Sequence, residues 1–362
     1  MNRLFYLKHS AINVYFSKNS KDFIVSEIPL YDFSGDGEHL ILKVRKKSLT
    51  TWQMLQIFSE VTGIKKREFG YAGLKDKDGL TIQYISMPKI YEKRIESFLH
   101  DKIKILESTY HKNKLKIGHL RANRFFVRLK KVNGIDAKKL KEALKSIKTY
   151  GLANYFGYQR FGKNRDNFLR GKEILESKVK EKNKRVEKFL ISAYQSHLFN
   201  LWLSKRVKIS KLIDSFEVNE LSELLSFPKE IIKKLKSQKS FFKLLPGDMM
   251  HHYPYGKDFV CENLDIEQDR FFKKEITPTG LLVGKKALKA YGIAADIERD
   301  FEKECEEFLQ KMNGTRRFAW IWAEDIEYKY IESEAWFELS FTLPKGSYAT
   351  VLLEELTHQK GF

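Results

Sequence analysis

Cysteine is nearly absent: Cys261 and Cys305 are the two in 362 residues. Neither belongs to a Cys-x-x-Cys pair, which argues against a disulfide framework or a zinc knuckle. No run of eighteen apolar residues exists, so no membrane-spanning helix is expected. Met1 to Ser10 is too short and mixed for a signal peptide. The expected class is a cytoplasmic enzyme or binding protein. Proline is scarce at seven residues, and 42% of the chain is apolar. Both favour a folded globular protein, long enough for two domains and large cores. Acid is also short: 67 basic residues face 47 acidic ones, a formal charge of +20. Such an excess points to nucleic acid, because phosphate contacts release counterions. A lysine coat on solvated faces is the plainer alternative.

The charge is unevenly spread. From His111 to Lys131 there are eight Lys or Arg residues and no acid, with Phe125 and Phe126 inside the run. From Ile231 to Lys243 there are five lysines and no acid, around Phe241 and Phe242. Asp296 to Glu307 is acidic. Cations interleaved with aromatics suit a strand facing RNA. Against that, one of two adjacent strand aromatics normally points into a core.

Local patterns set the organisation. Leu40-Ile41-Leu42-Lys43-Val44-Arg45, Thr81 to Met87 and Arg124 to Lys130 read as strands. Thr50 with Gln53 has the form of a capping box, and Gly63 ends that helix. Asp136 is placed to cap a helix carrying Leu140, Leu144 and Ile147, with Gly151 at its end. Phe189 to Leu203 is helical by the spacing of Leu190, Tyr194, Leu198 and Leu201, and residues 205–245 continue in a lysine-rich helical manner. Phe301, Cys305, Phe308 and Met312 mark another helix, closed by Gly314. Ala335 to Leu343 alternates as a strand with one buried face; Pro344-Lys345-Gly346 turns, and Ser347 is placed to cap a final helix. A strand so close to the C-terminus implies return to the first sheet. The expectation is an α+β chain in which 1–156 and 313–362 form one domain and 157–312 is inserted into it.

The most informative stretch is Gly73-Leu74-Lys75-Asp76-Lys77-Asp78-Gly79-Leu80-Thr81-Ile82-Gln83. Asp76 lies between two lysines in a glycine-bounded loop, and neighbouring cations favour an ionised carboxylate. That is the form a carboxylate nucleophile or base needs. A solvated hairpin tip is the alternative, and Asp78 before Gly79 reads as a turn former. His251-His252 lacks a third spaced ligand, Asp32, Asp36 and Glu38 lack EF-hand spacing, and Gly157 and Gly162 lack P-loop order. Tyr71, just before the motif, reads as core packing.

Several motifs occur together and in order. They are Gly73-x-Lys75-Asp76 with Thr81-x-Gln83, His119-Leu120-x-x-Asn123-x-Phe125, and Asn154-Tyr155-Phe156-Gly157-x-Gln159-Arg160-Phe161-Gly162. Ser192-Ala193-Tyr194-Gln195-Ser196 with Phe199-Asn200, Pro278-Thr279-Gly280, and Leu343-Pro344-x-Gly346-Ser347-Tyr348-Ala349-Thr350 complete the set. Over nearly the whole chain this resembles the TruD family of pseudouridine synthases, the tRNA pseudouridine-13 enzymes. The resemblance implies a pseudouridine synthase catalytic domain with a mixed, largely antiparallel sheet, interrupted by an inserted α/β TRUD domain. It implies tRNA as partner, isomerisation of one uridine to its C5-glycoside, and no metal, nucleotide or organic cofactor.

By the same resemblance Asp76 matches the catalytic aspartate, and Phe23, Asn123, Phe125 and Tyr348 match substrate contacts. Lys75 and Lys77 have two functional readings, phosphate contact or keeping Asp76 ionised, beside plain solvation. Arg160 either touches RNA or stabilises its loop. One position departs: six residues before Phe23, where the family often carries lysine, stands Ser17, with Lys18 next to it. The rival class is a non-catalytic RNA-binding or tRNA-folding protein with the same basic and aromatic surface. A monomer is expected, since no amphipathic dimer helix stands out.

Overall fold

The computed structural model describes residues 3–362. The chain packs as two compact units. A sheet unit comprises Ile12–Glu142 and Ala323–Gly346; a long-helix unit comprises Met1–Ala11, Ala143–Trp322 and Ser347–Phe362. These packing boundaries differ from the expected domain limits at 156/157 and 312/313. The reason is strand pairing: Leu152–Ala153 pairs with Trp320–Ile321, and Thr315–Phe318 pairs with Ile276–Leu282. Among the described residues no helix is long and apolar enough to cross a membrane.

The sheet unit contains, in chain order, β1 (Tyr15–Phe16), β2 (Phe23–Pro29), β3 (His39–Lys47), β4 (Gly70–Tyr71), β5 (Leu80–Pro88), β6 (Ile103–His111), β7 (Leu120–Lys130), β8 (Glu324–Ile331) and β9 (Trp336–Pro344). Among the described residues they form one sheet in the order β8-β9-β7-β2-β5-β3-β6, with β1 beside β7 and β4 beside β5. All pairings are antiparallel except β2 with β5, where Ile24 faces Leu80 and Val25 faces Thr81. The sheet is thus mixed and largely antiparallel, and β9 does return to it, pairing with β7.

Side chains directly opposite on neighbouring strands share a face. One face therefore carries Leu42, Val44 and Lys46 of β3, Thr81, Gln83 and Ile85 of β5, Phe23 and Glu27 of β2, and Asn123 and Phe125 of β7. The helix Thr51–Thr62 buries Met54, Leu55 and Phe58 in a core with Leu40, Leu42, Val44, Ile85, Met87 and Phe98. Its ends are as expected: Thr50 and Gln53 form the reciprocal capping box, and Gly63 closes it at φ +70°. Toward β2 and β7 the same face turns polar, at Lys46, Thr81, Gln83, Glu27 and Asn123.

In the long-helix unit, Lys184–Ser215 extends well beyond the expected span and packs against Ile276–Leu282. Arg206 on that helix makes a buried two-pronged pair with Asp248, at 2.6 and 2.8 Å. Gly280 lies so close to Trp202 that a Cβ there would sit 2.1 Å from the ring. That contact accounts for the glycine of the Pro278-Thr279-Gly280 motif.

Several local expectations are corrected. The helix Gly134–Tyr150 is capped by Asn133, whose side chain accepts from Asp136 N at 2.8 Å, and not by Asp136. Ser347 does not cap the final helix Ala349–Thr357; its hydroxyl is buried without a hydrogen bond. The single helix expected across 301–312 is instead Gly292–Lys303 followed by a 3-10 turn at Glu306–Lys311.

The basic runs are also less basic in space than in sequence. Arg124 pairs with Glu327 at 3.0 Å, Arg128 with Glu338 at 2.8 Å and Asp22 at 3.3 Å, and Lys130 with Asp22 at 2.5 Å. In the second run, Lys234 reaches Asp265, Lys239 reaches Asp269 and Lys243 reaches Asp214, while Phe242 is buried. The acids come from elements distant in sequence. Phe125 itself is 7% exposed and belongs to the core face.

Candidate active site

Asp76 is exposed on the loop between β4 and β5. The protein grips this loop by its backbone. Lys46 Nζ donates to the Asp76 carbonyl at 2.8 Å, to Thr81 Oγ1 at 3.5 Å, and to the Leu49 carbonyl. Lys75 N donates to Thr51 Oγ1 at 2.9 Å, and that hydroxyl donates to Gln83 Oε1 at 3.0 Å. Thr51 N returns a bond to the Lys75 carbonyl at 3.3 Å. The Thr81-x-Gln83 part of the motif therefore serves the loop from beneath. Gly79 has φ +76°, and a Cβ there would meet the Phe23 carbonyl oxygen at 2.6 Å. Only glycine allows this approach of loop to β2.

Lys46 is 1% exposed. Burial pushes its ammonium down to about 8, against the attraction of Asp76 and Glu27, with Lys75 adding to the push. Lys75 turns away from solvent. Its Nζ donates to Asn123 Oδ1 at 2.7 Å and pairs with Glu27 at 3.0 Å. Glu27 also accepts from Tyr84 N at 2.9 Å. Burial raises the Glu27 carboxyl above the usual carboxylate range, with Lys75 opposing. The Phe23 ring is half-buried and lies 6.3 Å from Phe125, which stacks on Phe341 at 5.4 Å.

Phe23, Lys75, Asp76 and Asn123 are thus gathered in the sheet unit, with Phe125 behind Phe23. Lys77 is exposed. A cavity of about 750 Å³ on the β3–β6 side, lined by Leu40, Arg45 and Phe98 among others, contains none of these residues. Sequence reasoning missed Lys46 and Glu27. The signal was the strand alternation: Lys46 has the parity of Leu42 and Val44, and Glu27 that of Phe23.

Tyr348 and Arg160 belong to the long-helix unit. Arg160 donates to Ser196 Oγ at 3.1 Å and Ser192 Oγ at 2.5 Å. Its guanidinium lies 5.8 Å from the Phe156 ring centre, while that of Arg317 lies 3.9 Å from the same ring. Arg317 also donates to Asn154 Oδ1 at 2.9 Å. Burial lowers both guanidiniums, Arg317 to about 10, and Arg160 adds to the Arg317 shift. The Tyr348 ring is 6.2 Å from Phe156. Gly157 approaches both Tyr348 and Thr350, where a Cβ would lie 2.9 and 3.1 Å away. The motifs at 154–162, 192–200 and 347–350 therefore meet in one cluster. Elsewhere in this unit, His251 pairs with Asp258 at 2.7 Å and His252 packs on Phe259.

The fold is that of a class, the pseudouridine synthases. A solved Methanosarcina mazei chain assigned as tRNA pseudouridine synthase D (TruD) superposes with a TM-score of 0.66 at 20% identity, covering 99% of this chain and 96% of that one. The family model for tRNA pseudouridine synthase D (TruD) matches residues 2–186 and 225–356. A Nitratiruptor relative named tRNA pseudouridine synthase D is 57% identical over 361 residues, 99% of each chain. Relatives of the same name from Campylobacter jejuni and Helicobacter pylori are 53% and 48% identical, over 99% and 98% of this chain and 96% and 95% of their own. The chain belongs to the TruD family.

Proposed function

We propose that this chain is a tRNA pseudouridine synthase, isomerising uridine 13 with Asp76 as the reacting carboxylate. The observation that carries this reading is the exposed Asp76 carboxylate on a backbone pinned by Lys46 and Thr51, in a loop whose Gly79 abuts Phe23 and whose Lys75 holds the amide of Asn123. The names of the close relatives support the substrate. The inserted TRUD domain is read as 157–312 on the family resemblance.

A uridine in folded tRNA has to leave its stack to reach a protein carboxylate. The half-buried Phe23 ring offers a stacking face, worth about 1–3 kcal/mol. Phe125 backs Phe23 within the core. The Asn123 carbonyl oxygen is engaged by Lys75, so its amide N–H groups are left to donate to a uracil carbonyl. Lys75 thereby orients the amide, and its charge is balanced by Glu27. Tyr348 and Arg160 act as RNA contacts of the long-helix unit. In the reaction the N1–C1′ bond breaks, the base turns, C5 bonds to C1′, and C5 loses its proton while N1 regains one. An ionised Asp76 serves each of three routes: attack at C1′, attack at C6, or removal of a sugar proton.

The test is tritium release from tRNA labelled at C5 of uridine. Asp76→Asn is expected to lower release by about 10³-fold or more while tRNA affinity stays close to wild type. Turnover equal to wild type in that variant rejects Asp76.

A further inference from the structure

The basic run at 111–131 divides in two. Arg124, Arg128 and Lys130 are neutralised across the sheet. Lys112, Lys114 and Lys116 make no ion pair among the described residues; Lys114 instead donates to the Arg67 carbonyl at 2.6 Å. Lys114 and Lys116 line a cavity of about 360 Å³ together with Tyr31, His111 and His119. Tyr31 is held from two sides. Its ring stacks on His111 at 5.0 Å, 24° from parallel, and its hydroxyl lies 2.7 Å from His119 Nδ1. Asp32 and Asn113 complete the wall.

The pocket is connected to the Asp76 loop. Gly118 N donates to the Ala72 carbonyl at 2.9 Å, the residue before Gly73. His119 opens the motif that supplies Asn123, yet it has no role beside Asp76. Four residues of extended chain place it roughly 13 Å from Asn123. Volume and lining define the occupant. The space suits a nucleotide-sized group. The fixed ring offers a stacking face, and two lysines without acid partners suit a phosphodiester. The single carboxylate and the amide suit a base edge or ribose hydroxyl.

We infer that this pocket is an RNA subsite. It takes a nucleotide of the substrate strand other than the reacting uridine, with its base on Tyr31 and its phosphodiester on Lys114 and Lys116. This rests on the tRNA reading above. The test is binding of bulk tRNA to the full-length chain across a salt series, beside pseudouridine formation by the wild type. The double variant Lys114→Ala/Lys116→Ala is expected to weaken binding about tenfold and to flatten the slope of log K against log salt by about 1–2 units, roughly 0.7–0.9 per phosphate. Lys116→Ala alone, at an exposed residue, removes no bond within the protein and secures the test against misfolding. Lys329→Ala, an equal charge loss elsewhere on the sheet unit, is expected to change little. Tyr31→Phe is expected to retain binding and Tyr31→Ala to lose it about fivefold or more. Binding and slope unchanged in the lysine variants, or changed equally by Lys329→Ala, overturn the subsite even if the wild type forms pseudouridine. The expected losses in a chain that forms none support the subsite and remove the catalytic reading instead.

Discussion

The Asp76 cluster and the Arg160 cluster solve opposite problems. Around Asp76 the surrounding groups hold the main chain, through the Asp76 carbonyl and Lys75 N, and leave the carboxylate exposed. Around Arg160 they hold the side chain's head, through Ser192, Ser196 and the ring of Phe156. The difference follows from side-chain length. A carboxylate one carbon from the backbone is placed when its backbone is placed. A guanidinium on a long stem has to be fixed at its tip, at an entropy cost otherwise met on binding.

The contrast can be broken in order of expected effect. Lys46→Met removes the donor beneath Asp76 and should lower the single-turnover rate about 100-fold, the scale of a roughly 1 Å misplacement, with tRNA affinity nearly unchanged. A loss of affinity in place of rate would mean that Lys46 does not position the carboxylate. The same lysine carries opposite pH signatures. Above about 8 its amine loses one of the three N–H groups it shares among Leu49, Asp76 and Thr81, so the rate should fall as pH rises through that value. Its folded pKa is depressed, so the folding penalty of its charge is full below about 8 and fades as pH rises toward the unfolded value near 10.4. Rate and this part of stability should therefore move in opposite directions, and both trends should vanish in Lys46→Met.

Arg160→Ala should weaken tRNA binding about threefold to tenfold with little change in rate. Arg160→Lys should fail to restore it, because an ammonium lacks the fork that reaches Ser192 and Ser196 together. Full rescue by lysine would show that charge alone matters there. A separate, pH-linked effect on stability concerns Glu355, whose buried carboxyl group accepts from Tyr6 N and Leu7 N at 2.8 Å each. Burial pushes it up to about 8. The folded chain keeps a proton that the unfolded chain has released, so stability should decline from about pH 5 to pH 8. Thermal melts of Glu355→Gln should lose that slope.

What could be read from sequence was local or periodic. The Thr50–Gln53 cap, Gly63 and the β9 alternation depend on neighbours a few residues apart, and each matches the structure. The Asp76 loop was visible as a motif, but its support was not, because Lys46, Glu27 and Asn123 converge from three different strands. The basic runs misled for the same reason: Asp22, Glu327 and Glu338 reach them only through strand pairing. Lys46 stands in the basic run Arg45-Lys46-Lys47, and only its parity with Val44 marks it as inward.

One pairing in the sheet has an outsized effect. Because β2 and β5 run in the same direction, both strands start at a common border, with Ile24 level with Leu80. Residues delivered at that border, Phe23 opening β2 and the segment ending at Gly79, become neighbours. Reversing β5 would carry that segment to the far end of β2, a seven-residue strand, roughly 20 Å away. The setting of Asp76 thus depends on strand polarity as much as on any side chain, and the long excursion from β2 to β5 is what makes that polarity possible.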